Sequence, residues 1–232
     1  MTKLLSIPQT NILYREWTAA QPKVALILVH GLGAHTERWA FLSEYFLKRN
    51  ISSYALALKG FKEAGLVKAD IDSFQVYYRD LQQLAQLVRS THPGIKIYLI
   101  GESLGGLISY LAGILIPHEF DGVICLSPAF KSKLRFSPLD YLKMYWALVF
   151  DPHKGFPTPF TAAMCTRDEE YQKKMNEDER EIRTSSGELL FQIAWEQLHA
   201  KWLSPRFKLP LLFLLSGQDQ IVQSAESRKV FA

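Results

Sequence analysis

The sequence predicts an α/β protein whose mostly parallel, doubly wound sheet carries helices on both faces. Apolar, β-rich runs such as "KVALILVHG" (23–31) and "IKIYLIGES" (95–103) are typical of strands that are buried on both sides. Segments with helical spacing of apolar residues separate these runs, as parallel crossovers require. With 232 residues, 48% of them hydrophobic, the chain is long enough to form both a core and a pocket.

The elements follow one another in a regular order. Weakly alternating residues on either side of Pro8 predict an N-terminal β-hairpin. Five buried strands are expected at 23–31, 51–58, 95–103, 120–130 and 209–219. Helices are expected at 36–50, 72–94 and 104–117, the second of them ending near Pro93-Gly94.

Residues 131–208 interrupt this alternation. The segment is rich in aromatic, charged and proline residues, and it contains no run typical of a buried strand. We therefore expect residues 1–130 and 209–232 to form the core and residues 131–208 to form a mostly helical cap insertion. Such an insertion would lie over the carboxyl ends of the strands, where open α/β sheets bind ligands.

Composition excludes several classes of function. The net charge of +4 is mild, and segments such as 168–181 mix both signs, so no nucleic-acid partner is expected. Cys125 and Cys165 form neither a metal-ligand spacing nor a disulfide framework, and no cofactor fingerprint is present, so no metal and no cofactor are expected. The N-terminus lacks an apolar leader, and every apolar run is far shorter than the roughly 20 residues of a membrane helix. These features predict a soluble, cytoplasmic protein.

The stretch "IGESLGGL" places a G-x-S-x-G motif between a predicted strand and a predicted helix. In that context the motif is typical of a nucleophile on a tight turn, with Ser103 presented above the sheet. Gly101 and Gly105 would let the strand and the helix approach each other closely. The alternative is that these glycines serve packing alone, but the strand–turn–helix context favours a catalytic serine.

A serine nucleophile needs groups that stabilise negative charge, and "HGLGAH" follows the first buried strand. This position predicts an oxyanion hole built from the backbone amides of Leu32 and Leu104. Gly31 and Gly33 would let the loop bend toward the substrate. His30 is interpreted as a residue that shapes this loop.

The run "LPLLFLLSGQD" ends a predicted strand and places Asp219 in the loop that follows it. The order of nucleophile and then acid matches the triad order of hydrolases with this motif, so Asp219 is the candidate acid that would orient an imidazole. The alternative is an ordinary loop or N-cap aspartate ahead of the last helical segment.

Taken in order, these motifs resemble the monoglyceride lipase and lysophospholipase-like branch of the α/β-hydrolases, often grouped with the serine aminopeptidases S33. The resemblance covers "LVHGLGAHTERWAFLSEYFLKRN", "DSFQVYYRDLQQLAQLV", "KIYLIGESLGGLIS", "LSPAF" and "LPLLFLLSGQDQIV". It implies a serine hydrolase that acts on carboxylic esters, commonly monoacylglycerols or lysophospholipids, beneath a helical cap. By position, Ser103 is the nucleophile, Leu32 and Leu104 are the oxyanion donors, and Asp219 is the acid.

The sequence departs from the pattern of this family at two places. Phe61 and Lys62 stand where a histidine and a glycine are expected near the site. No histidine follows Asp219, so the general base is expected beyond residue 232, together with a closing strand and helix. All six histidines precede Asp219, and His35 is interpreted as a loop-fixing residue. His153 and His199 lie in the cap and would reach Ser103 only after a rearrangement.

The sequence leaves several alternatives open. The leading hypothesis is a serine ester hydrolase with a small, lipid-like substrate. An acyltransferase or peptidase on the same fold would carry the same residues. A non-catalytic descendant is favoured by the absent base, but it would have no need to keep the serine motif, the oxyanion loop and Asp219. Aromatic residues of the cap are interpreted as the cap's own small core, although they could also line an acyl pocket or make transient contact with a membrane surface. These residues are Tyr141, Tyr145, Trp146, Phe150, Phe156 and Phe160. The oligomeric state is not indicated.

Overall fold

The computed structural model describes residues 3–65 and 68–231. The strands are β1 (Leu4–Ser6), β2 (Leu13–Trp17), β3 (Val24–Val29), β4 (Ile51–Leu56), β5 (Lys96–Glu102), β6 (Gly122–Leu126), β7 (Gly155–Pro157), β8 (Thr184–Ser186) and β9 (Leu211–Leu214). The helices are α1 (Ala40–Leu47), α2 (Gln75–Thr91), α3 (Leu104–Leu115), α4 (Pro138–Phe150), α5 (Ala162–Cys165), α6 (Glu169–Glu177), α7 (Gly187–Leu203) and α8 (Ser224–Phe231).

Seven of the strands in the described residues form one sheet in the spatial order β1-β2-β4-β3-β5-β6-β9. The pairs β1–β2 and β2–β4 are antiparallel, whereas the four pairs from β4 to β9 are parallel. This arrangement confirms the predicted fold class of an N-terminal hairpin joined to a doubly wound parallel sheet.

Strand β3 shows why the apolar runs become central strands. Its residues alternate between the two faces of the sheet, as the strand period of two requires. Ala25, Ile27 and Val29 belong to the larger core, which also contains buried residues of α2 and α3. Leu26 and Leu28 belong to a smaller core on the other face, which α1 covers.

Strand β9 differs from the prediction of a strand buried on both faces. It lies at the edge of the sheet, where Leu211 and Phe213 pack against the larger core. Leu212 and Leu214 are 48% and 52% exposed on the opposite face. That face of β9 therefore stays open to solvent in the described part of the chain.

Between β6 and β9 the chain forms α4 to α7 and a short antiparallel pair, β7–β8, that the sequence did not predict. This pair is tied to the core because Ala69 exchanges backbone hydrogen bonds with Thr184 (2.9 Å) and Ser186 (2.8 Å). None of the described helices combines the length and the apolarity that crossing a membrane requires.

The six aromatic residues singled out in this segment do not form one small core. Phe156 is buried, while Tyr141 and Phe160 line a cavity above the sheet. Tyr145, Trp146 and Phe150 are exposed on α4, so the interpretation as a cap core is wrong for these three side chains. Burial depends on what packs against a helix, and composition alone does not reveal it.

The fold also buries a carboxylate that is not among the predicted site residues. Asp80 on α2 is only 6% exposed. Burial raises its pKa to about 6, although Lys59 and Arg79 act in the opposite direction. The folded state therefore binds the Asp80 proton more tightly than the unfolded chain does.

We predict that Asp80→Asn stabilises the protein at pH 8 but not at pH 4. The raised pKa favours folding below the unfolded value and loses that contribution as the pH rises through about 6. An uncharged amide removes the cost of burying the ion, which we expect to be about 1–2 kcal/mol. Urea unfolding at both pH values measures the difference, with the exposed Glu177→Gln as control. An equal effect of Asp80→Asn at both pH values would contradict the prediction.

Candidate active site

Ser103 occupies the sharp turn between β5 and α3. Its backbone angles, φ 53° and ψ −114°, are ones that residues other than glycine rarely adopt. Hydrogen bonds hold the turn on both sides. The amide of Ser103 donates to the Leu126 carbonyl (2.9 Å), and its carbonyl accepts from the amides of Ala129 (2.9 Å) and Leu107 (3.1 Å). The surrounding strands therefore maintain the strained conformation.

The glycines of the motif are required by close backbone contacts. A Cβ atom on Gly105 would lie 2.2 Å from the Val29 carbonyl oxygen at the end of β3. A Cβ atom on Gly101 would lie 2.1 Å from the Gly105 carbonyl oxygen. These contacts bring β3, β5 and α3 together directly beneath Ser103.

The loop after β3 lies against this turn. The position of a Cβ atom on Gly31 is 3.4 Å from Ser103 Cβ and 3.9 Å from Ser103 Oγ. Leu32 and Leu104 line the same cavity as Ser103. Leu104 is the first residue of α3, so its N–H belongs to the turn whose amides lack partners within the helix. The structure thus brings the two predicted oxyanion donors to the proposed nucleophile.

His30 is fixed beneath this loop. Its ring is buried, with Nδ1 2.9 Å from the Gly31 carbonyl and Nε2 3.2 Å from the Leu58 amide that donates to it. Burial lowers its pKa to about 4, so the ring is neutral near pH 7. Phe61, which stands where the family pattern has histidine, packs edge-on against it at 5.2 Å. His30 therefore joins the loops that follow β3 and β4.

Asp219 lies in the loop after β9 and also lines the cavity. Its Oδ1 accepts hydrogen bonds from the amides of Ile221 (2.9 Å) and Val222 (2.7 Å). Its backbone carbonyl accepts from the Lys133 ammonium. No donor among the described residues bonds Oδ2, so this oxygen is available to a further donor.

No histidine is found among the cavity-lining residues of the described chain. Each histidine other than His30 contacts a partner elsewhere: His35 with Asp178, His92 with Tyr54, His118 with Glu119, His153 with Asp70, and His199 with Glu196. The structure therefore brings together Ser103, the two donors and Asp219, but no imidazole.

The cavity has a volume of about 620 Å³ and extends from Ser103 into the segment between β6 and β9. Most of its walls are apolar, with Phe136, Met144, Leu148, Met164 and Leu190 among them. A volume of this size is typical of small-molecule sites.

Sequence reasoning missed three charged residues of the cavity, Glu102, Arg38 and Arg167. Glu102 directly precedes Ser103, and loss of solvation raises its pKa while Arg38 acts to lower it. The Nε of Arg38 donates to Glu181 at 2.7 Å. The G-x-S-x-G motif contains Glu102, but nothing in the sequence indicated that Arg38 and Glu181 would lie near it.

Comparisons with known proteins agree with this geometry. The family model described as serine aminopeptidase, S33 (Hydrolase_4) matches residues 20–232. Monoglyceride lipase of Rattus norvegicus is 31% identical over 115 residues, which are 49% of this chain and 38% of the relative. A putative monoglyceride lipase of Schizosaccharomyces pombe is 25% identical over 227 residues, or 94% of this chain and 59% of the relative. The matches thus span less than two thirds of these relatives.

A solved structure extends the comparison to the fold. Monoacylglycerol lipase of Paleococcus ferrophilus aligns with a TM-score of 0.81 and 22% identity, covering 95% of this chain and 83% of that one. The sheet and the strained serine turn are those of an α/β-hydrolase. Within that class, the chain belongs to the serine aminopeptidase S33 family, in its monoglyceride lipase-like branch.

We predict that Ser103→Gly is more stable to unfolding than Ser103→Ala by about 1 kcal/mol. Both variants lose the hydroxyl, but only glycine relieves the strain of φ 53°. The greater freedom of glycine in the unfolded chain offsets part of that gain. Urea unfolding of the two variants measures the difference. An alanine variant as stable as the glycine variant would show that the turn stores no strain.

Proposed function

We propose that the protein is a serine ester hydrolase for monoacylglycerol- or lysophospholipid-like substrates, acting through an acyl-enzyme on Ser103. The observation that carries this proposal is the strained serine turn packed against the Gly31–Leu32 loop, at the base of a largely apolar cavity that Asp219 also lines. The apolar walls suit an acyl chain, and the polar groups near Ser103 suit the ester and its alcohol portion.

In the proposed reaction, Ser103 Oγ attacks the ester carbonyl while its proton passes to a general base. A bond forms between Oγ and the carbonyl carbon, and the electron pair of the double bond moves to oxygen. The amides of Leu32 and Leu104 would hold that oxyanion. Collapse breaks the bond to the alcohol, which takes the proton from the base. Water then attacks the acyl-enzyme in the same way and releases the carboxylic acid.

The base in this proposal is a histidine that lies beyond residue 232 in a longer chain. Two features favour a histidine there that donates a hydrogen bond to Asp219. Oδ2 of Asp219 has no hydrogen-bond donor among the described residues, although Oδ1 has two. The open face and edge of β9 offer a place for a further strand beside the Asp219 loop.

Labelling with a fluorophosphonate tests the nucleophile. We expect the protein, prepared with the residues encoded after position 232, to label at one serine. Ser103→Ala should abolish the labelling, whereas Ser90→Ala, at an exposed serine on α2, should not change it. Labelling of Ser103→Ala at the wild-type rate would overturn the proposal. Turnover of monoacylglycerols, p-nitrophenyl esters and aminoacyl anilides separates esterase from peptidase activity, and product analysis with an added alcohol acceptor reveals a transferase.

The same preparations test the base. We expect residues 1–232 alone to turn over esters about 10³-fold or more slowly than the longer chain, because the oxyanion hole would act without a proton acceptor. Mass spectrometry of the acyl adduct would locate it on Ser103 in both. Equal rates would show that the base lies within residues 1–232.

We further propose that α4 makes transient contact with a lipid surface. Tyr145, Trp146 and Phe150 are all exposed, and Trp146 stacks on Phe150 with 5.4 Å between ring centroids. Aromatic residues on an exposed helix suit the boundary between lipid and water. Such contact would bring the cavity, which Tyr141 of the same helix lines, close to lipid substrates.

We predict that Phe150→Ser weakens binding to phosphatidylcholine vesicles about 10-fold, the loss expected for one buried aromatic side chain. Phe41→Ser is the matched control, because Phe41 on α1 is 70% exposed and Phe150 is 73% exposed. Vesicle co-sedimentation measures the binding. Equal losses in the two variants would contradict a specific role of α4.

A further inference from the structure

A dense set of contacts joins the loop after β3 to the segment that follows α6. We call this set the loop latch. It consists of Gly33, His35, Glu37 and Arg38 on the loop and of Asp178, Arg180, Glu181 and Ile182 on the segment. The proposed nucleophile and acid have no part in it.

The latch begins at the residue next to a proposed oxyanion donor. The carbonyl of Gly33, which follows Leu32, accepts a hydrogen bond from the Ile182 amide at 2.9 Å. Gly33 has φ 77°, and a Cβ atom there would lie 2.3 Å from the Ile182 carbonyl oxygen. The two backbones therefore touch two peptide units away from the Leu32 amide.

Charged groups extend this contact. Arg180 binds Asp178 with two hydrogen bonds, of 2.9 and 2.7 Å, and donates to Glu37 at 3.0 Å. The Arg180 guanidinium holds the pKa of Asp178 well below its usual range, so this carboxylate stays ionised at physiological pH.

Two loop side chains reach the segment directly. Nε2 of His35 lies 3.1 Å from Asp178 Oδ2, and Nε of Arg38 donates to Glu181 at 2.7 Å. The side chains of His35 and Glu181 are each only 4% exposed. Solvent therefore screens these contacts much less than it screens surface ion pairs.

The core holds the same loop from the other side. Glu63 accepts from the amide and the hydroxyl of Thr36, each at 2.8 Å. Arg15 of β2 lies 3.1 Å from Glu63 and 3.4 Å from Glu37. Glu37 thus contacts an arginine of the sheet and, in the latch, an arginine of the inserted segment. The loop is clamped between two parts of the molecule.

We propose that Asp178, Arg180 and Glu181 are positioning residues that fix the Leu32 amide for oxyanion binding. They are not among the residues that line the cavity around Ser103, and they act through Gly33, His35 and Arg38. Donors in an oxyanion hole are effective because they are held in place before the reaction begins. This role rests on the proposed function.

A structural role in attaching the inserted segment makes a different prediction. That segment has a second attachment, where Ala69 bonds the backbone of Thr184 and Ser186. Loss of the latch charges should therefore loosen the loop after β3 without releasing the segment. The two roles differ in where the backbone gains freedom.

Hydrogen exchange and steady-state ester hydrolysis test the proposal in Asp178→Ala and Arg180→Ala, both prepared in the longer chain used to test the nucleophile. We expect faster amide exchange in residues 31–38 and unchanged exchange at β8. We also expect kcat for ester hydrolysis to fall about 10- to 100-fold, with KM within about two-fold, as for displaced catalytic groups. Lys174→Ala is the matched control, since it removes an exposed pair of 2.7 Å with Glu170 on α6. Asp178→Asn replaces the alanine variant if that variant does not fold.

Both the hydrogen-exchange and the kinetic measurement have a result that would overturn the proposal. Exchange in residues 31–38 at the wild-type rate would show that the latch does not hold the loop. Faster exchange across β8 as well, with KM and kcat changed together, would assign the residues to attachment of the segment alone. If wild type is not labelled by the fluorophosphonate, the proposed function fails, while the exchange data still decide whether the latch holds the loop.

Discussion

The site depends on the close approach of three backbones beneath Ser103. At Gly105, α3 comes so near to the end of β3 that a single Cβ atom would meet the Val29 carbonyl at 2.2 Å. Burial of β3 and β5 on both faces holds these elements together, so a strained serine persists where an isolated turn would relax. The same contact brings the loop after β3 to the serine, and the proposed nucleophile and oxyanion donors cannot be moved independently.

The parallel sheet explains why the loops that form the site all lie at one end of the strands. Because the parallel strands share one direction, the loops after β3, β5, β6 and β9 all emerge at their carboxyl ends. The segment between β6 and β9 leaves the sheet at the carboxyl end of β6, lines the cavity over Ser103 and returns to the amino end of β9. Contacts at Ala69 and at Gly33 help to attach this segment to the core, in which Leu189 and Ala200 of α7 are also buried.

Local patterns were enough to predict the strands, the helices after them and the serine turn. Each depends on residues close in sequence, such as the apolar alternation of β3 or the glycines around Ser103. The pairing of Arg38 with Glu181 was not predictable, because 143 residues separate them and neither has a distinctive neighbour. The open face of β9 was also missed, since an apolar strand does not reveal whether another element covers it. The short pair β7–β8 has too few residues for a periodic pattern.

Because of the charged groups near Ser103, stabilisation of the oxyanion in the proposed reaction depends strongly on where the backbone amides lie. Glu102 places a carboxyl group one residue before the serine, and an ionised carboxylate there opposes the negative charge that develops during attack on an ester. Arg38 is the cation that acts on Glu102, but Glu181 already accepts a hydrogen bond from its Nε. Arg167 also lines the cavity, where its guanidinium bonds Gln218. The amides of Leu32 and Leu104 must then supply most of the stabilisation of the oxyanion in the proposed reaction. Amides are effective only where they are held rigidly, and the contacts of Gly33 and Arg38 with the inserted segment provide that rigidity on the Leu32 side.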